Sequence, residues 1–273
     1  MPERDQNLRD QNSVDLELVE RVVREAGAIA RDIAAREFKT KTKSDGSPVT
    51  EADLAVNAYL TEHLRGARPD YAWLSEENED DNSRLTAPRC FVVDPIDGTL
   101  AFVKRRPHFT VCVAVVENGE PVVGAVYNPM TDESYAAAKG HGAFLNGAPI
   151  HVTDTATLDG SRMQASKATL THPRWQQPWP EMHIENPNSI AYRMVQVASG
   201  AFDAALTMAS LHDWDVAAAD IILREAGGLM TSIEGAAPHY NGDDVIQPSV
   251  LAAGAALHAV LRARLDQNLE VSP

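Results

Sequence analysis

The chain has 273 residues, of which 44% are hydrophobic and 23% are charged, and this composition excludes a disordered chain, a collagen and a coiled coil. A chain of this length can bury a large core without disulfides or a structural metal. Its formal net charge is −15, from 24 basic and 39 acidic residues, so it lacks the basic footprint that a DNA-binding protein needs.

The cysteines and the absence of long apolar runs predict a cytoplasmic protein. Cys90 and Cys112 both lie in apolar stretches and are expected to be buried, reduced thiols. Residues 1–14 contain no apolar segment of the kind found in signal peptides. No apolar run approaches the length of about 18 residues that a membrane span requires, so we expect no membrane partner.

The first half of the chain predicts two helices followed by antiparallel strands. Residues 1–12 are polar and predict a disordered tail. Apolar residues recur at spacings of three and four over residues 15–38, with Ser13 as the N-cap, and predict the first helix. A polar loop is predicted at 39–48 and a second helix over 50–65. The predicted strands cover residues 71–74, 90–93, 109–116, 121–127, 134–138 and 148–152.

The second half predicts an alternation of strands and helices. Residues 171–187 carry four prolines and no periodicity, and they predict a loop. This alternation predicts an α/β fold, with an N-terminal α+β subdomain over 13–153 that holds an antiparallel sheet and a C-terminal α/β subdomain over 154–273. The predicted strands cover 163–166, 201–207, 228–232 and 249–253, and the predicted helices cover 190–199, 215–226 and 257–268.

A stretch of eight residues carries the strongest chemical signal. Residues 92–99 read Val-Val-Asp-Pro-Ile-Asp-Gly-Thr, so that a buried strand ends in two carboxylates, Asp94 and Asp97. Carboxylates at the end of an apolar strand are expensive to desolvate unless something positive meets them. Gly98 allows the backbone to approach a ligand closely, and the amides that follow it can point at an anion. For Asp97 alone, an Asp-Pro turn in which it caps a helix is an equal alternative.

Three other segments place acidic residues at a strand end or a helix start. Glu76 and Glu77 follow the strand at 71–74, Asp53 lies in the first turn of the second helix, and Asp215 begins a later helix. Their ordinary roles would be solvated loop acids, charges on a helix dipole and an N-cap. If they converge with the central motif, these acids predict a site for hard divalent cations, most simply Mg²⁺. Two such ions can clamp the attacking and leaving oxygens of a phosphoryl group.

With these motifs, the sequence resembles the inositol monophosphatase-like superfamily of Mg²⁺-dependent, lithium-sensitive phosphomonoesterases. Its most specific motif is Asp-Pro-Ile-Asp-Gly-Thr at 94–99. Ser-Glu-Glu at 75–77 is similar to the family's Gly-Glu-Glu, Trp-Asp-Val-Ala-Ala at 214–218 to its C-terminal motif, and Pro-Val-Thr-Glu-Ala-Asp at 48–53 to its N-terminal motif. The resemblance covers about residues 18–261 and implies a layered αβαβα sandwich that commonly forms a homodimer.

The resemblance implies which groups hold the cations. A first Mg²⁺ would bind Glu76, Asp94 and the carbonyl of Ile96. A second would bind Asp94, Asp97 and Asp215, and a third, weaker ion would share Glu76. Mn²⁺ is expected to substitute for Mg²⁺, whereas Ca²⁺ and Li⁺ are expected to inhibit.

The resemblance also implies the catalytic residues. Thr99, paired with Asp53, would orient and deprotonate the water that attacks phosphorus, and Glu76 would assist. The amides of Gly98 and Thr99 would hold the phosphate. The expected partner is therefore a small phosphorylated substrate.

Positions outside the acidic motifs bear on the choice of phosphate ester. Met208 stands where inositol phosphatases of the family usually carry a Glu, and an apolar residue suits a planar base better. Arg193 stands where the family's nucleotidases carry a Lys, and Arg can grip a second phosphate with two hydrogen bonds. Lys104 lies in a segment similar to bacterial bisphosphate nucleotidases and is a candidate substrate ligand. The ordinary alternatives are a core methionine, a helix surface charge and a solvated basic turn.

Other positions favour inositol phosphatases. Leu100 and Ala101 replace the Lys-Glu that nucleotidases usually carry, and residues 142–147 are closer to inositol phosphatases. We predict hydrolysis of adenosine 3′,5′-bisphosphate to AMP and phosphate, with inositol 1-phosphate as the main alternative and fructose 1,6-bisphosphate or histidinol phosphate behind it. A catalytically silent phosphate-binding module or an RNA-associated regulator is the alternative from another class.

Overall fold

In the computed structural model, which describes residues 2–44, 46–80, 82–173, 175 and 177–266, helices and sheets alternate in layers. Its helices are α1 (Pro2–Ala34), α2 (Glu51–Ala67), α3 (Thr99–Val103), α4 (Lys167–Leu170), α5 (Ile190–Ala198), α6 (Asp213–Glu225) and α7 (Ala255–Asp266). Its strands are β1 (Thr40–Thr42), β2 (Pro48–Thr50), β3 (Ala72–Ser75), β4 (Cys90–Asp97), β5 (Thr110–Glu117), β6 (Glu120–Asn128), β7 (Glu133–Ala138), β8 (Ala143–Leu145), β9 (Ala148–Ile150), β10 (Arg162–Ala165), β11 (His183–Glu185), β12 (Ala204–Thr207), β13 (Leu211–His212), β14 (Gly228–Thr231), β15 (Ile246–Gln247) and β16 (Val250–Gly254). A 3₁₀ turn lies at Ser83–Thr86.

The larger sheet has seven strands in the order β3-β4-β5-β6-β7-β8-β9, and β3 and β4 are its parallel pair. Its central strands are unbroken apolar runs because helices cover both faces of the sheet. Along β4, Phe91 and Val93 pack with α1 and α2, whereas Cys90 and Val92 pack with α5 and α6. Cys90 and Cys112 are buried free thiols, as predicted.

The second sheet has five strands in the order β11-β10-β12-β16-β14. Helices α5 and α6 lie between the two sheets and contact both. Helix α7 covers the far face, where its Leu257 and Leu261 pack with Leu206 and Leu251 of the sheet. The layers therefore run helix, sheet, helix, sheet, helix, and the αβαβα sandwich is confirmed. The larger sheet uses residues 72–150 and the second 162–254, while the subdomain division at residue 153 stays a prediction.

The first helix begins earlier than the sequence pattern predicts. Its backbone is helical from Pro2, not from residue 15, so the tail predicted for residues 1–12 is wrong over 2–12. Residue 1 lies outside the described residues. Proline suits the first helical position, and the segment after it contains no glycine and includes the helix-favouring Glu3, Arg4, Gln6 and Leu8. Ser13 is consequently inside the helix and is not its N-cap.

Several short strands fall in segments predicted as loops. In the predicted loop 39–48, β1 pairs antiparallel with β2, and in the predicted loop 171–187, β11 pairs parallel with β10. Strands of three residues are too short to show a periodicity of two. The predicted strand 201–207 begins only at Ala204, and the last two residues of the predicted helix 257–268 lie outside the described residues. No described helix combines the length and apolarity needed to cross a membrane.

Candidate metal centre and active site

The end of β4 carries two acidic residues on a local irregularity. The strand pairs regularly with β5 as far as Asp94, after which the register shifts before Asp97. Pro95 has no N–H to give to the ladder, which favours a break at this point. The backbone N–H of Ile96 instead donates to Asp94 Oδ1 at 2.9 Å. The strand thus continues to Asp97, four residues beyond the predicted end at 93, and remains buried throughout.

The third carboxylate comes from the helix between the sheets. Asp215 is the third residue of α6, and its Oδ2 accepts the backbone N–H of His212 at 2.6 Å, which closes a capping box. One oxygen from each of Asp94, Asp97 and Asp215 lies within 4.8 Å of the others. The structure therefore brings together three acids from two layers, as the sequence predicts, while their role as metal ligands stays a prediction.

The electrostatics of this group fit a divalent cation. Burial and the charges of its acidic neighbours hold the pKa of Asp94 well above its usual range. Burial raises the pKa of Asp97 to about 6, and burial together with the charge of Asp97 raises that of Asp215 to about 8. Among the described residues, no Lys or Arg forms an ion pair with these three carboxylates. Carboxylates that repel one another and form no close ion pair with Lys or Arg are the donor set that Mg²⁺ prefers.

Glu76 lies beside this group and is not one of the three. It follows β3, and its Oε1 accepts a hydrogen bond from Lys43 Nζ at 2.8 Å, while the same ammonium donates to Glu77 Oε1 at 2.7 Å. The charge of Glu76 contributes to the raised pKa of Asp94, so the two carboxylates interact. Lys43 was missed because it lies in the segment predicted as a loop, where its only signal is the repetition of lysines at 39, 41 and 43.

Asp53 and Thr99 form the hydrogen-bonded pair that the resemblance implies. Asp53 is the third residue of α2, and its Oδ2 accepts the backbone N–H of Thr50 at 2.7 Å in a capping box. Its Oδ1 accepts the hydroxyl of Thr99 at 3.2 Å. That hydroxyl also lies 3.1 Å from the carbonyl oxygen of Ile96, so this carbonyl belongs to the same small network.

Gly98 allows the turn between β4 and α3. Its φ is +95°, in the left-handed region, and a Cβ at this position would lie 2.8 Å from the carbonyl oxygen of His108. The chain therefore needs glycine both for its conformation and for the close approach. The turn places the backbone amide of Thr99 at the first position of α3.

Asp97 has partners that the sequence analysis did not single out. Its Oδ2 accepts the hydroxyl of Ser189 at 2.6 Å and the backbone N–H of Ala191 at 2.7 Å, both at the start of α5. Asp97 is therefore not the N-cap of α3, a position that Gly98 occupies. Its carboxylate instead accepts hydrogen bonds from the start of α5. Ser189 caps α5 by accepting the N–H of Tyr192, and this capping role is the signal by which it could have been noticed.

The candidate substrate residues differ in their surroundings. Arg193 is only 9% exposed, and its Nε donates to the carbonyl of Pro187 at 2.6 Å. Its charge interacts with Asp97, which places it near the acidic group. Lys104 is exposed at the end of α3. Met208 is half-buried and packs on the apolar cluster under α7, so core packing accounts for part of its surface.

Comparisons with known proteins find similarity along nearly the whole chain. Residues 11–270 match the sequence model of the "Inositol monophosphatase family". An inositol-1-monophosphatase from Caulobacter vibrioides is 32% identical over 91% of this chain and 99% of its own. The 3′(2′),5′-bisphosphate nucleotidase CysQ from Aggregatibacter actinomycetemcomitans is 30% identical over 81% of this chain and 85% of its own. The solved structure of extragenic suppressor protein SuhB from Bartonella henselae has a TM-score of 0.82 and 26% identity, covering 93% of this chain and 99% of that one.

Proposed function

Because the chain belongs to the inositol monophosphatase family of phosphatases, we propose that it is a divalent-cation-dependent phosphomonoesterase with Mg²⁺ as its ion. The observation that carries this proposal is the group formed by the buried Asp94 and Asp97 and the half-buried Asp215. Glu76 and the carbonyl of Ile96 extend the donor set, in keeping with two or three ions. When bound, Mg²⁺ neutralises charge that develops on the phosphoryl oxygens and lowers the pKa of water.

Thr99 and Asp53 are the proposed base for the attacking water. The Thr99 hydroxyl has two acceptors within reach, Asp53 Oδ1 and the Ile96 carbonyl. When its hydrogen points to Asp53, Thr99 can take a proton from the water while it gives its own to the carboxylate. Burial raises the pKa of Asp53, opposed by the hydrogen bonds from Thr50 and assisted by the charge of Glu76. The carboxylate is therefore a better proton acceptor than an exposed aspartate. The amides of Gly98 and Thr99 are the proposed phosphate donors.

Adenosine 3′,5′-bisphosphate is the proposed substrate. Water would attack the 3′-phosphorus, the bond from phosphorus to the 3′-oxygen would break, and that oxygen would leave as the hydroxyl of AMP. Arg193 supports a second phosphate, because within the described part of the chain its terminal nitrogens have no hydrogen-bond acceptor. The stacked rings of His212 and Trp214, with centroids 4.4 Å apart beside Asp215, support a planar base.

Inositol 1-phosphate is the second candidate, favoured by the similarity to the Caulobacter protein over nearly all of its length. A competitive assay separates the two. Phosphate release is measured from adenosine 3′,5′-bisphosphate, inositol 1-phosphate, fructose 1,6-bisphosphate and histidinol phosphate, each with Mg²⁺, with EDTA and with added Li⁺. We expect the highest kcat/KM for the adenosine compound, no turnover in EDTA and inhibition by Li⁺.

Each contrary result of this assay has a distinct meaning. A higher kcat/KM for inositol 1-phosphate would reverse the order of substrates and leave the phosphatase class intact. No release from any ester would favour the silent binding module or the RNA-associated regulator.

Asp97→Asn is expected to abolish turnover while the protein stays folded. Asp132→Asn, which changes a 74% exposed aspartate, is its control. A homodimer and a cytoplasmic location stay predictions, for light scattering and cell fractionation to test.

A further inference from the structure

The carboxylate of Asp97 accepts two hydrogen bonds from the start of α5. The hydroxyl of Ser189 and the backbone N–H of Ala191 both donate to the same carboxylate oxygen, Oδ2. The second oxygen of Asp97, Oδ1, receives no hydrogen bond from any described residue. Oδ2 is therefore committed to α5, while Asp97 still offers a carboxylate oxygen to the group with Asp94 and Asp215.

Counting protons fixes the direction of a longer chain of hydrogen bonds behind Asp97. The single hydrogen of the Ser189 hydroxyl goes to the carboxylate, so at the 3.1 Å contact with Thr110 Oγ1 the threonine is the donor. The Thr110 hydroxyl then has no hydrogen left for Cys112, so the thiol donates at the 3.3 Å contact. Burial holds the pKa of Cys112 well above its usual range, so the thiol carries the proton this requires.

This chain of donors is buried and complete. Ser189 and Thr110 are 0% exposed, and Cys112 is 1% exposed. The Ser189 oxygen accepts from Thr110 and from the N–H of Tyr192 while it donates to Asp97, so its hydrogen-bonding capacity is filled. A Ser189 hydroxyl fixed in this way has one orientation, and its hydrogen bond restrains the Asp97 carboxylate to one orientation as well.

We propose that Ser189 is a positioning residue for the cation, because its hydrogen bond to Oδ2 fixes the orientation in which the Asp97 carboxylate meets Asp94 and Asp215. This inference rests on the proposed function. Groups that orient metal ligands from outside the coordination sphere tune the affinity of the site. Ser189 acts through Asp97 and is not expected to touch the substrate's reacting atoms.

A merely structural role for Ser189 as a helix cap has a control within the chain. Ser166 caps α4 with the same geometry, accepting the N–H of Thr169 at 3.0 Å, and it donates to no carboxylate. Ser189→Ala removes a cap and the contacts with Asp97 and Thr110, whereas Ser166→Ala removes a cap and a contact with the Thr169 hydroxyl, away from any carboxylate. Ser189→Thr keeps a hydroxyl and a side chain that caps helices well.

The test is a calorimetric titration of Mn²⁺ and of Mg²⁺ into the metal-free protein, alongside phosphate release as a function of Mg²⁺ concentration. We expect Ser189→Ala to weaken the metal Kd by about 10- to 100-fold. The Mg²⁺ concentration for half-maximal activity should rise with it, and excess Mg²⁺ should recover much of kcat. Ser189→Thr should restore the affinity, and Ser166→Ala should leave it unchanged.

The outcomes separate this inference from the proposed function. A folded Ser189→Ala variant with the Kd of the natural chain overturns the positioning role, even if the protein is a metal-dependent phosphatase. If the natural chain neither binds Mn²⁺ nor releases phosphate, both the proposed function and the inference are overturned. If Ser189→Ala does not fold, Thr110→Val decides, since it keeps the Ser189 hydroxyl but removes its donor. A weaker metal Kd in that variant supports the chain of donors, and an unchanged Kd overturns it.

Discussion

Replacing Asp215 by asparagine is expected to stabilise the metal-free protein while it destroys activity. Asparagine keeps an oxygen that can accept the N–H of His212, so the cap of α6 survives the change. What disappears is a negative charge in a group of three acids. Activity is expected to vanish, because the remaining two carboxylates are a poorer cage for a divalent cation.

The size of the stabilisation follows from the geometry. Two charges at the observed upper separation of 4.8 Å repel by about 3 kcal/mol at an effective dielectric constant of about 20. Above pH 8, Asp97 and Asp215 are both ionised in the metal-free protein, because their pKa values are about 6 and about 8. Relief of this one repulsion should raise the Tm by roughly 6–12 °C. Below pH 4 both groups are protonated, and the advantage of the variant should vanish.

Thermal unfolding of both proteins in EDTA and in excess Mg²⁺ tests this reasoning. We expect Asp215→Asn to have the higher Tm in EDTA at pH 8.5 and to gain less from Mg²⁺ than the natural chain, since ligand binding to the native state alone raises stability. Asp132→Asn is the control and should follow the natural chain. A metal-free Asp215→Asn protein that melts below the natural chain at this pH would refute the claim that the carboxylates repel one another.

Three further predictions concern the acidic group, the carboxylate of Asp203 in the second half of the chain and the hydroxyl of Thr99. The Tm of the metal-free natural chain should fall as the pH rises from about 4 to about 8, because the unfolded chain loses its carboxyl protons first while Asp97 and Asp215 retain theirs in the fold. Excess Mg²⁺ should flatten this profile, and a Tm that rises over the interval would contradict it. Burial would raise the pKa of Asp203, but hydrogen bonds from Arg162, Thr153 and Thr155 together outweigh it and lower the pKa to about 2. With allowance for solvent screening, Asp203→Asn should therefore lose roughly 1–2 kcal/mol at pH 7. Denaturant titrations should show this loss disappear as the pH falls from 4 to 2. Thr99→Ala should lower kcat about 100-fold or more with little change in Tm, while Thr99→Ser retains much of it, as steady-state kinetics with a parallel melt would show.

The convergence of three acids could be predicted because each stands at a recognisable boundary. Asp94 and Asp97 end an apolar strand, and Asp215 opens a helix, so the sequence places all three where polar groups gather at the edge of a layer. The residues behind them could not be found this way. Ser189 meets Asp97 across 92 positions, and only the docking of α5 against the end of β4 brings them together.

The missed elements share a different cause. The hairpin of β1 and β2, which carries Lys43 towards Glu76, is built from the three-residue strands Thr-Lys-Thr and Pro-Val-Thr. Nothing in segments so short distinguishes a strand from a loop. The start of α1 was missed because a polar segment was interpreted as solvated, although it contains no glycine and no proline after Pro2 to prevent a helix. The hairpin segment tolerates two structures locally, and the pairing of β1 with β2 selects one.

The three carboxylates come from two neighbouring layers of the sandwich, since β4 supplies two of them and α6 the third. A cation coordinated by all three would crosslink the larger sheet and the helix layer that covers it. Any substitution that weakens the packing of α6 on the larger sheet, however far from the acids, should therefore release the ion before the protein unfolds. Metal release would then be an early sign of such loosening, visible while the circular dichroism spectrum still reports a folded chain.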